Sequence, residues 1–245
     1  MSDKFDCPLQ HRFRCRVVAG PMPSPTCSAL KHLFFVVSLS CMVKGQGTYT
    51  YKFANFSVSL KEDTIILNKL QLQPDYKKMS VFEQQFIYSL NYARRHPKQF
   101  SGEAVVPYLS AYPGLRADYG QSLISELSGL TTIPLLNADL RLVSIARMHA
   151  VDLARHNIMS HQSTNGTTTQ ERFQQVGIGC GSECINMANS VSALEVLVSL
   201  LIDYNVPDLG HRKSLLNPKM ASVGIGVDTN SDSKLQYTVV DLGCM

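Results

Sequence analysis

One segment near the end of the chain, residues 192–205, limits most strongly what the rest of the chain can fold into. Its sequence, SALEVLVSLLIDYN, predicts a helix that is apolar almost all the way round. Such a helix must be covered on most of its sides, so other elements have to pack around it. A chain of 245 residues with 44% hydrophobic content is long enough to build one sizeable core of this kind.

Three further helices are predicted earlier in the chain. The first covers 81–96, where apolar residues recur at helical spacing, and Pro97 follows as a stop. The second covers 137–157 and has an apolar face, and its first residue, an asparagine, is the expected N-cap. The third, at 168–177, begins with the spacing of a capping box and ends at a glycine. Residues 100–132 show no sustained period and predict a loop with one short helix near 122–127.

Two strands are predicted at the end of the chain. They cover 222–227 (SVGIGV) and 235–243 (LQYTVVDLG), and a polar, turn-rich segment joins them. That arrangement favours antiparallel pairing. Long helices followed by strands concentrated late in the chain predict an α+β fold rather than a doubly wound sheet.

The N-terminal part has a different character from the rest. An apolar run of 11 residues, LFFVVSLSCMV at 33–43, follows a lysine and a histidine and precedes small residues. It is short for a membrane span and resembles the apolar region of a secretory signal, although a buried strand is the alternative. We therefore expect residues 1–47 to be a signal peptide or N-terminal anchor, 48–79 a linker or extension, and 80–245 the folded domain. Export follows from this expectation, with no stable membrane span unless the N-terminal segment is retained.

The positive charge of the chain is also concentrated at this end. Residues 1–80 carry 11 lysines and arginines against 5 acids, whereas the remainder carries 12 against 14. Nucleic acid is therefore not an expected partner of the domain.

Seven cysteines are present, and three of them, Cys180, Cys184 and Cys244, lie after residue 47. None has the paired spacing of a structural zinc site. In an exported protein a bridge from Cys180 or Cys184 to Cys244 is expected, and the alternative is three buried thiols. Export would also expose two glycosylation sequons, at Asn55 and Asn165.

Four polar residues at the edges of the predicted elements are candidate site residues: His161, Glu183, Asp203 and His211. Two imidazoles and two carboxylates suit either a divalent metal or an acid–base site. Their spacing matches no short metal motif. The alternative is that the histidines are ordinary loop residues and that Asp203 caps the helix or pairs with Arg212.

Five motifs in a fixed order carry a resemblance to a known family. They are A..HA.DLA from residue 146, SH with NGTTTQER from residue 160, SECIN from residue 182, LLIDYNVPDLGHRKSLLNPKMASVGIGV from residue 200, and YTVVDLG from residue 237. Together they resemble the CAP superfamily, also called SCP domains, which includes the cysteine-rich secretory, antigen 5 and pathogenesis-related 1 proteins. The match is closest to the bacterial and protist branch and covers about residues 80–243.

This resemblance implies a three-layer α-β-α sandwich with a central antiparallel sheet. It also implies a cleft lined by two histidines and two acids, here His161, Glu183, Asp203 and His211. The chain departs from the family in three ways: Asp203 stands where animal members have a glutamate, SECIN replaces the GEN pattern, and tryptophan is absent from the sequence.

The function implied by the resemblance is that of a secreted, non-enzymatic binding protein. Its partner would be a small lipid or sterol, or another protein, and the cleft would hold zinc weakly through His161 and His211. The alternative is a metal-dependent hydrolase, a protease or esterase, in which the metal activates water and Asp203 is the base. A nucleophilic Ser160 or Ser163 is a weaker form of that alternative. Arg212 is expected to support the position of His211 from within a solvated charge cluster.

Overall fold

The structure, a computed structural model, describes residues 48–52, 57–189 and 191–244. The chain divides into two units, Met1–Cys41 and Met42–Met245, and all described residues belong to the second. The predicted signal peptide or anchor over residues 1–47 therefore lies outside the described residues, and so does the sequon residue Asn55.

Helices and strands alternate irregularly along the described residues. In chain order they are β1 (Thr48–Lys52), β2 (Ser57–Lys61), α1 (Thr64–Gln71), α2 (Pro74–Lys77), α3 (Val81–Arg95), α4 (Pro97–Phe100), α5 (Val106–Ala111), α6 (Gln121–Gly129), β3 (Asn137–Ala138), α7 (Leu140–His156), α8 (Thr169–Gln175), β4 (Gly181–Asn189), α9 (Ala193–Ile202), α10 (Gly210–Leu215), β5 (Met220–Thr229) and β6 (Leu235–Cys244). This combination confirms the predicted α+β class.

The main sheet has four strands in the order β3-β5-β6-β4. β6 pairs antiparallel with β5 on one side and with β4 on the other, as expected for the two predicted strands. The two-residue strand β3 pairs parallel with β5, so the sheet is mixed rather than wholly antiparallel. A separate antiparallel hairpin is formed by β1 and β2.

Helices cover both faces of this sheet. Along β6, Tyr237 and Val239 pack with alanines of α7, whereas Val240 and Leu242 belong to the cluster that contains residues of α3 and α9. Successive side chains of a strand point to opposite faces, so α7 lies on one face and α3 and α9 lie on the other. The result is the three-layer arrangement that the resemblance implied.

Two glycines of β5 let α7 lie directly on the sheet. A Cβ atom added at Gly224 would collide with the backbone at Leu142 and Val143, and one at Gly226 would collide with the backbone of Ala146. Backbone atoms cannot move aside as the end of a flexible side chain can. The GIG sequence of β5 therefore sets how closely α7 approaches the sheet.

The helix predictions are largely confirmed, with one correction at a cap. The apolar helix α9 is buried along nearly all of its length, as its composition requires. Helix α8 has the predicted capping box, formed by Thr168 and Glu171. Asn137, however, does not cap α7, because it lies in β3 and pairs there with Ser222 of β5. The cap is Asp139, whose carboxylate accepts a hydrogen bond from the Arg141 amide.

The segment 48–79, expected to be a linker or extension, is not a linker in its described part. Strand β2 alternates exposed and buried residues, and it buries Val58 and Leu60 in the main core. Helix α1 adds Ile66 and Leu70 to the same core. Its N-terminus is capped by Asp63, whose carboxylate accepts hydrogen bonds from two amides of the first turn. The elements are too short to show a clear period in the sequence.

The predicted loop over 100–132 is also corrected. The predicted short helix is present as α6, but much of the preceding segment is helical as well, because π-helical turns at Ser101–Val105 and Arg116–Gly120 connect α4, α5 and α6. The π turns place one extra residue in each turn and break the 3.6-residue period that the sequence reading depends on.

Replacing Gly224 or Gly226 by alanine should destabilise the fold by about 1 to 3 kcal/mol, because α7 would have to move off the sheet. Urea unfolding followed by circular dichroism measures the loss. Gly102→Ala is the matched control, since a Cβ there meets no atom within 4 Å. An equal loss for all three variants would contradict the role of close packing.

Candidate functional site: two histidine–acid pairs

The first candidate pair connects the end of α9 to the start of α10. Asp203 follows the last residue of α9 in a left-handed conformation (φ 59°) and is fully buried. Its Oδ1 lies 2.7 Å from His211 Nδ1, and its Oδ2 accepts hydrogen bonds from the amides of His211 (3.0 Å) and Arg212 (3.2 Å). One carboxylate therefore caps α10 and orients the imidazole at the same time.

The second pair connects the loop after α7 to the start of β4. His161 Nδ1 lies 2.8 Å from Glu183 Oε1. The Glu183 side chain is 1% exposed, whereas that of His161 is 61% exposed. The buried acid therefore holds an imidazole that projects to the surface.

Two more donors reach Glu183 from α8. Thr169 Oγ1 donates to Glu183 Oε1 at 2.9 Å, and the Arg172 guanidinium donates to Oε2 at 2.5 Å. Burial favours a raised pKa for Glu183, but the hydrogen bond from His161 and the charge of Arg172 outweigh it and hold the pKa below its usual value. Glu183 is therefore ionised at neutral pH and neutralised by Arg172.

Both pairs place the imidazole in the same chemical state. A carboxylate can only accept, so Nδ1 carries the proton in each ring, and Nε2 of the neutral ring keeps its lone pair. Histidines that hold metals in proteins have this arrangement, with a carboxylate behind the ring. The His211 side chain is 18% exposed, so both rings reach solvent to some degree.

Arg212, the residue after His211, supports the first pair as a buried cation and not as a solvated charge. Its side chain is 1% exposed, so the expectation of a solvated cluster is wrong. It donates to the carbonyls of Leu201 (2.7 Å) and Ile202 (2.9 Å) at the end of α9, and to Tyr119 O and Ser122 Oγ near α6. A cation suits the carbonyl end of a helix, where the last carbonyl groups lack partners.

A second buried arginine fixes the other end of α10. Arg94 of α3 is fully buried and donates to the carbonyls of Leu215 (2.7 Å), Asn217 (3.1 Å) and Pro134 (2.8 Å). Burial lowers its pKa to about 10, so it stays charged at neutral pH. Helix α10, which carries His211, is therefore joined to the end of α9 by its own Arg212 and to α3 by Arg94.

His149 lies next to the second pair, and the sequence analysis gave it no role. Its side chain is fully buried, with Nε2 2.9 Å from the Ser160 carbonyl oxygen and Nδ1 3.1 Å from Ser163 Oγ. Burial lowers its pKa, so the ring is neutral. The signal in the sequence was its position on the apolar face of α7, next to Ala150.

Asp241 was also missed. It lies in β6, directly across from Glu183, and it is fully buried, and neither of its carboxyl oxygens accepts a hydrogen bond from a donor group of the described residues. Burial raises its pKa well above the usual value, and the charge of Glu183 raises it further. An acidic residue at an inward-facing strand position was the only indication available from the sequence.

The structure settles the open disulfide alternatives. Cys180 and Cys244 form the bridge, with Cα atoms 5.5 Å apart, and Cys184 is a buried free thiol. Burial raises the pKa of that thiol. The bridge joins the residue just before β4 to the last residue of β6, close to Glu183 in the chain.

The four predicted residues come together as two pairs. Both pairs adjoin the same part of β4: Glu183 belongs to one, and the thiol of the next residue, Cys184, lies 4.0 Å from the His211 carbonyl oxygen. Within the described residues, no group of three or more histidines, cysteines and acids is arranged to hold a metal ion. Any cation would therefore find at most two imidazoles among the predicted residues.

The sequence matches the family model described as "Cysteine-rich secretory protein family" over residues 90–242, which is more than half of the chain. The chain belongs to this CAP family. The matched range begins within α3 and ends in β6, and it contains both histidine–acid pairs. No curated protein sequence matches the chain.

Several solved structures are similar to this CAP chain. An extracellular SCP-domain protein of Bacillus anthracis is 17% identical, with 82% of this chain and 60% of that one covered and a TM-score of 0.40. Venom allergen-like protein 4 of Schistosoma mansoni is 10% identical (68% and 90% covered, TM-score 0.40). An outer surface protein of Borrelia burgdorferi is 19% identical (51% and 88% covered, TM-score 0.39). In the described part of this CAP chain, no helix is both long and apolar enough to cross a membrane.

Arg212→Ala should destabilise this CAP domain by about 3 kcal/mol, because it leaves several buried acceptors at the end of α9 unpaired. Chemical denaturation measures the loss. Lys213→Ala, which alters an exposed cation one residue away, should change stability by less than about 0.5 kcal/mol. Arg212→Ala with wild-type stability would show that the buried guanidinium does not hold the helix end.

Proposed function

We propose that this CAP protein is a secreted, non-enzymatic binding protein whose cleft is built around the imidazoles of His161 and His211. The observation that supports this most directly is the pairing of each ring with a buried carboxylate through Nδ1. That pairing leaves two Nε2 lone pairs free for a ligand while the rings are held in place. The proposed ligands are a divalent cation, zinc by the preference of imidazole, and a small lipid, sterol or protein partner.

The donor set fits a weak zinc site. Neutral imidazole suits zinc, and a carboxylate behind each ring raises its basicity and fixes its orientation. Glu183 and Asp203 already accept hydrogen bonds on both oxygens, so they support the rings and do not bind the ion directly. With two imidazoles and water as the expected ligands, affinity should be well below that of a structural zinc site with four protein ligands.

An apolar ligand is supported by exposed hydrophobic side chains on α7 and in the segment that leads to His161. Met148 and Val151 of α7, together with Ile158 and Met159 in the segment before His161, are exposed hydrophobic side chains. A contiguous exposed apolar patch is typical of a binding surface. We propose that a lipid or sterol would contact this surface while its polar group faces the imidazole.

The hydrolase alternative is not favoured. Asp203, the proposed base, is fully buried and accepts hydrogen bonds from the His211 ring and from two amides, so it is poorly placed to take a proton from water. Glu183 is neutralised by Arg172. Ser163 does contact a histidine, but this is the buried His149, whose lowered pKa makes it a weak base.

Export is the second part of the proposal. It is supported by the apolar run at 33–43, by the Cys180–Cys244 bridge, which suits an oxidising compartment, and by membership of a family described as secretory. The sequon residue Asn165 lies in an exposed turn, where its side chain accepts a hydrogen bond from the Thr167 amide.

Zinc binding should be detectable by calorimetry in the wild type, lost in His211→Ala, and weakened at acid pH because protonated imidazole cannot bind a cation. His156→Ala is the matched control, because this exposed histidine pairs with Asp152 outside the cleft. Equal zinc uptake by all three proteins would rule out the site. Zinc-dependent ester or peptide hydrolysis that His211→Ala abolishes would support the hydrolase instead.

Mass spectrometry of the protein recovered from its natural source should show an N-terminus processed near residue 47. The mass should also be lower by the two hydrogen atoms that are lost when one disulfide forms. In a eukaryotic host, Asn165 should also carry a glycan. Cytosolic protein that begins at Met1 with three free thiols after residue 47 would contradict export.

A further inference from the structure

Glu183, which accepts a hydrogen bond from the His161 ring, lies beside a second buried acid, Asp241. Glu183 of β4 and Asp241 of β6 are directly opposed in an antiparallel pair, so their side chains lie on the same face of the sheet. The Glu183 side chain is 1% exposed, and Asp241 is fully buried. Two buried carboxylates side by side cannot both stay ionised at low cost.

The hydrogen bonds indicate which of the two acids carries a proton. A carboxylate offers about four lone-pair sites. Three sites on Glu183 are filled, by His161, Thr169 and Arg172, and one remains free. Asp241 differs from Glu183, since no donor group among the described residues reaches either of its oxygens. A buried carboxylate without a donor is costly, whereas a neutral carboxyl group can itself donate.

The charged and titratable groups around Asp241 agree with this assignment. Among the described residues, Arg172 on α8 is the cation that influences Asp241, and it already pairs with Glu183. The ring of His149 on α7 and the thiol of Cys184 on β4 are neutral, because burial lowers the pKa of the first and raises that of the second. On β5, the residue paired with Asp241 is Gly224, which carries no side chain. No second cation is therefore present to balance a second carboxylate in this described cluster.

We propose that Asp241 is a neutral carboxylic acid in the folded protein and that its O–H group donates to the free acceptor site of Glu183. Asp241 is then a positioning residue for the cleft, acting on His161 through Glu183. The cluster of Glu183, Arg172 and Asp241 has no net charge in this state. An ionised Asp241 would add a negative charge and favour the protonated imidazole, which cannot bind a cation. This last consequence rests on the proposed function, whereas the protonation state itself does not.

The proposal makes a signed prediction about stability. An acid whose pKa is higher in the folded than in the unfolded protein stabilises the fold fully below the unfolded value, about 3.9 for aspartate. That contribution is lost as pH rises toward the folded value. Asparagine has the same shape, stays neutral at every pH and keeps an N–H donor for Glu183. Asp241→Asn should therefore gain stability relative to the wild type as pH rises.

The experiment is urea unfolding of the wild type and Asp241→Asn at pH 4, 6 and 8. The ratio of their folding constants should rise at least tenfold in favour of the variant between pH 4 and pH 8, which requires a pKa shift somewhat above one unit. Asp241→Val, which cannot donate to Glu183, should be less stable than Asp241→Asn at every pH. Asp228→Asn controls for removing an acid from the neighbouring strand. A pH-independent ratio, or loss of stability in Asp241→Asn that grows with pH, would overturn the proposal.

A measurement on the wild type covers the case in which the variants do not fold. In a carbon NMR titration of the aspartate carboxyl groups, one resonance should titrate far above the ordinary aspartate range. If all aspartates in the folded protein were ionised at pH 6, the proposal would fail. Neither experiment uses a metal or lipid, so the absence of zinc binding would defeat the proposed function and leave this assignment standing. Zinc binding by a protein whose aspartates are all ionised at pH 6 would defeat this assignment and leave the proposed function standing.

Discussion

The contact between α7 and the sheet is the constraint on which the candidate site depends. Gly224 and Gly226 allow the helix backbone to rest on β5, and this places His149 over the start of β4. His149 in turn holds the following loop through the Ser160 carbonyl and the Ser163 hydroxyl. The same loop carries His161 to Glu183. A wider spacing between helix and sheet would separate the imidazole from its carboxylate, so a packing requirement in a strand controls the chemistry of a distant loop.

Buried arginines perform a comparable role on the other side of the sheet. Arg94 and Arg212 donate mainly to backbone carbonyl groups rather than to carboxylates. This leaves Asp203 free to serve α10 and the His211 ring, because no arginine side chain of the described residues is bonded to it. At Glu183 the opposite holds, since Arg172 binds the carboxylate itself. The two pairs therefore share a geometry but differ in charge: the first carries a carboxylate without a paired cationic side chain, and the second is neutralised.

The parts of this structure that the sequence predicted are those with a long, regular signal. The burial of α9 follows from its apolar composition, and the apolar face of α7 follows from helical periodicity over many residues. The antiparallel pairing of β5 with β6 follows from the turn-rich segment that joins them. The helical segments between α4 and α6 were not predicted, because π turns interrupt their period. The pairing of His161 with Glu183 was expected from the family resemblance and not from spacing. The contacts of Arg172 and Asp241 with Glu183 were not predicted, because helix α8 and strand β6 approach Glu183 only in the folded chain.

The different exposure of the two histidines has a physical origin in the elements that carry them. His211 lies in the first turn of α10, where Asp203 binds both its ring and its amide, so the ring is held close to the backbone and mostly covered. His161 lies in a loop, where Thr169 and Arg172 of α8 donate to its carbonyl oxygen and Glu183 accepts from its ring, and the ring itself projects to solvent. Under the proposed function, a ligand would therefore meet one recessed imidazole at His211 and one exposed imidazole at His161.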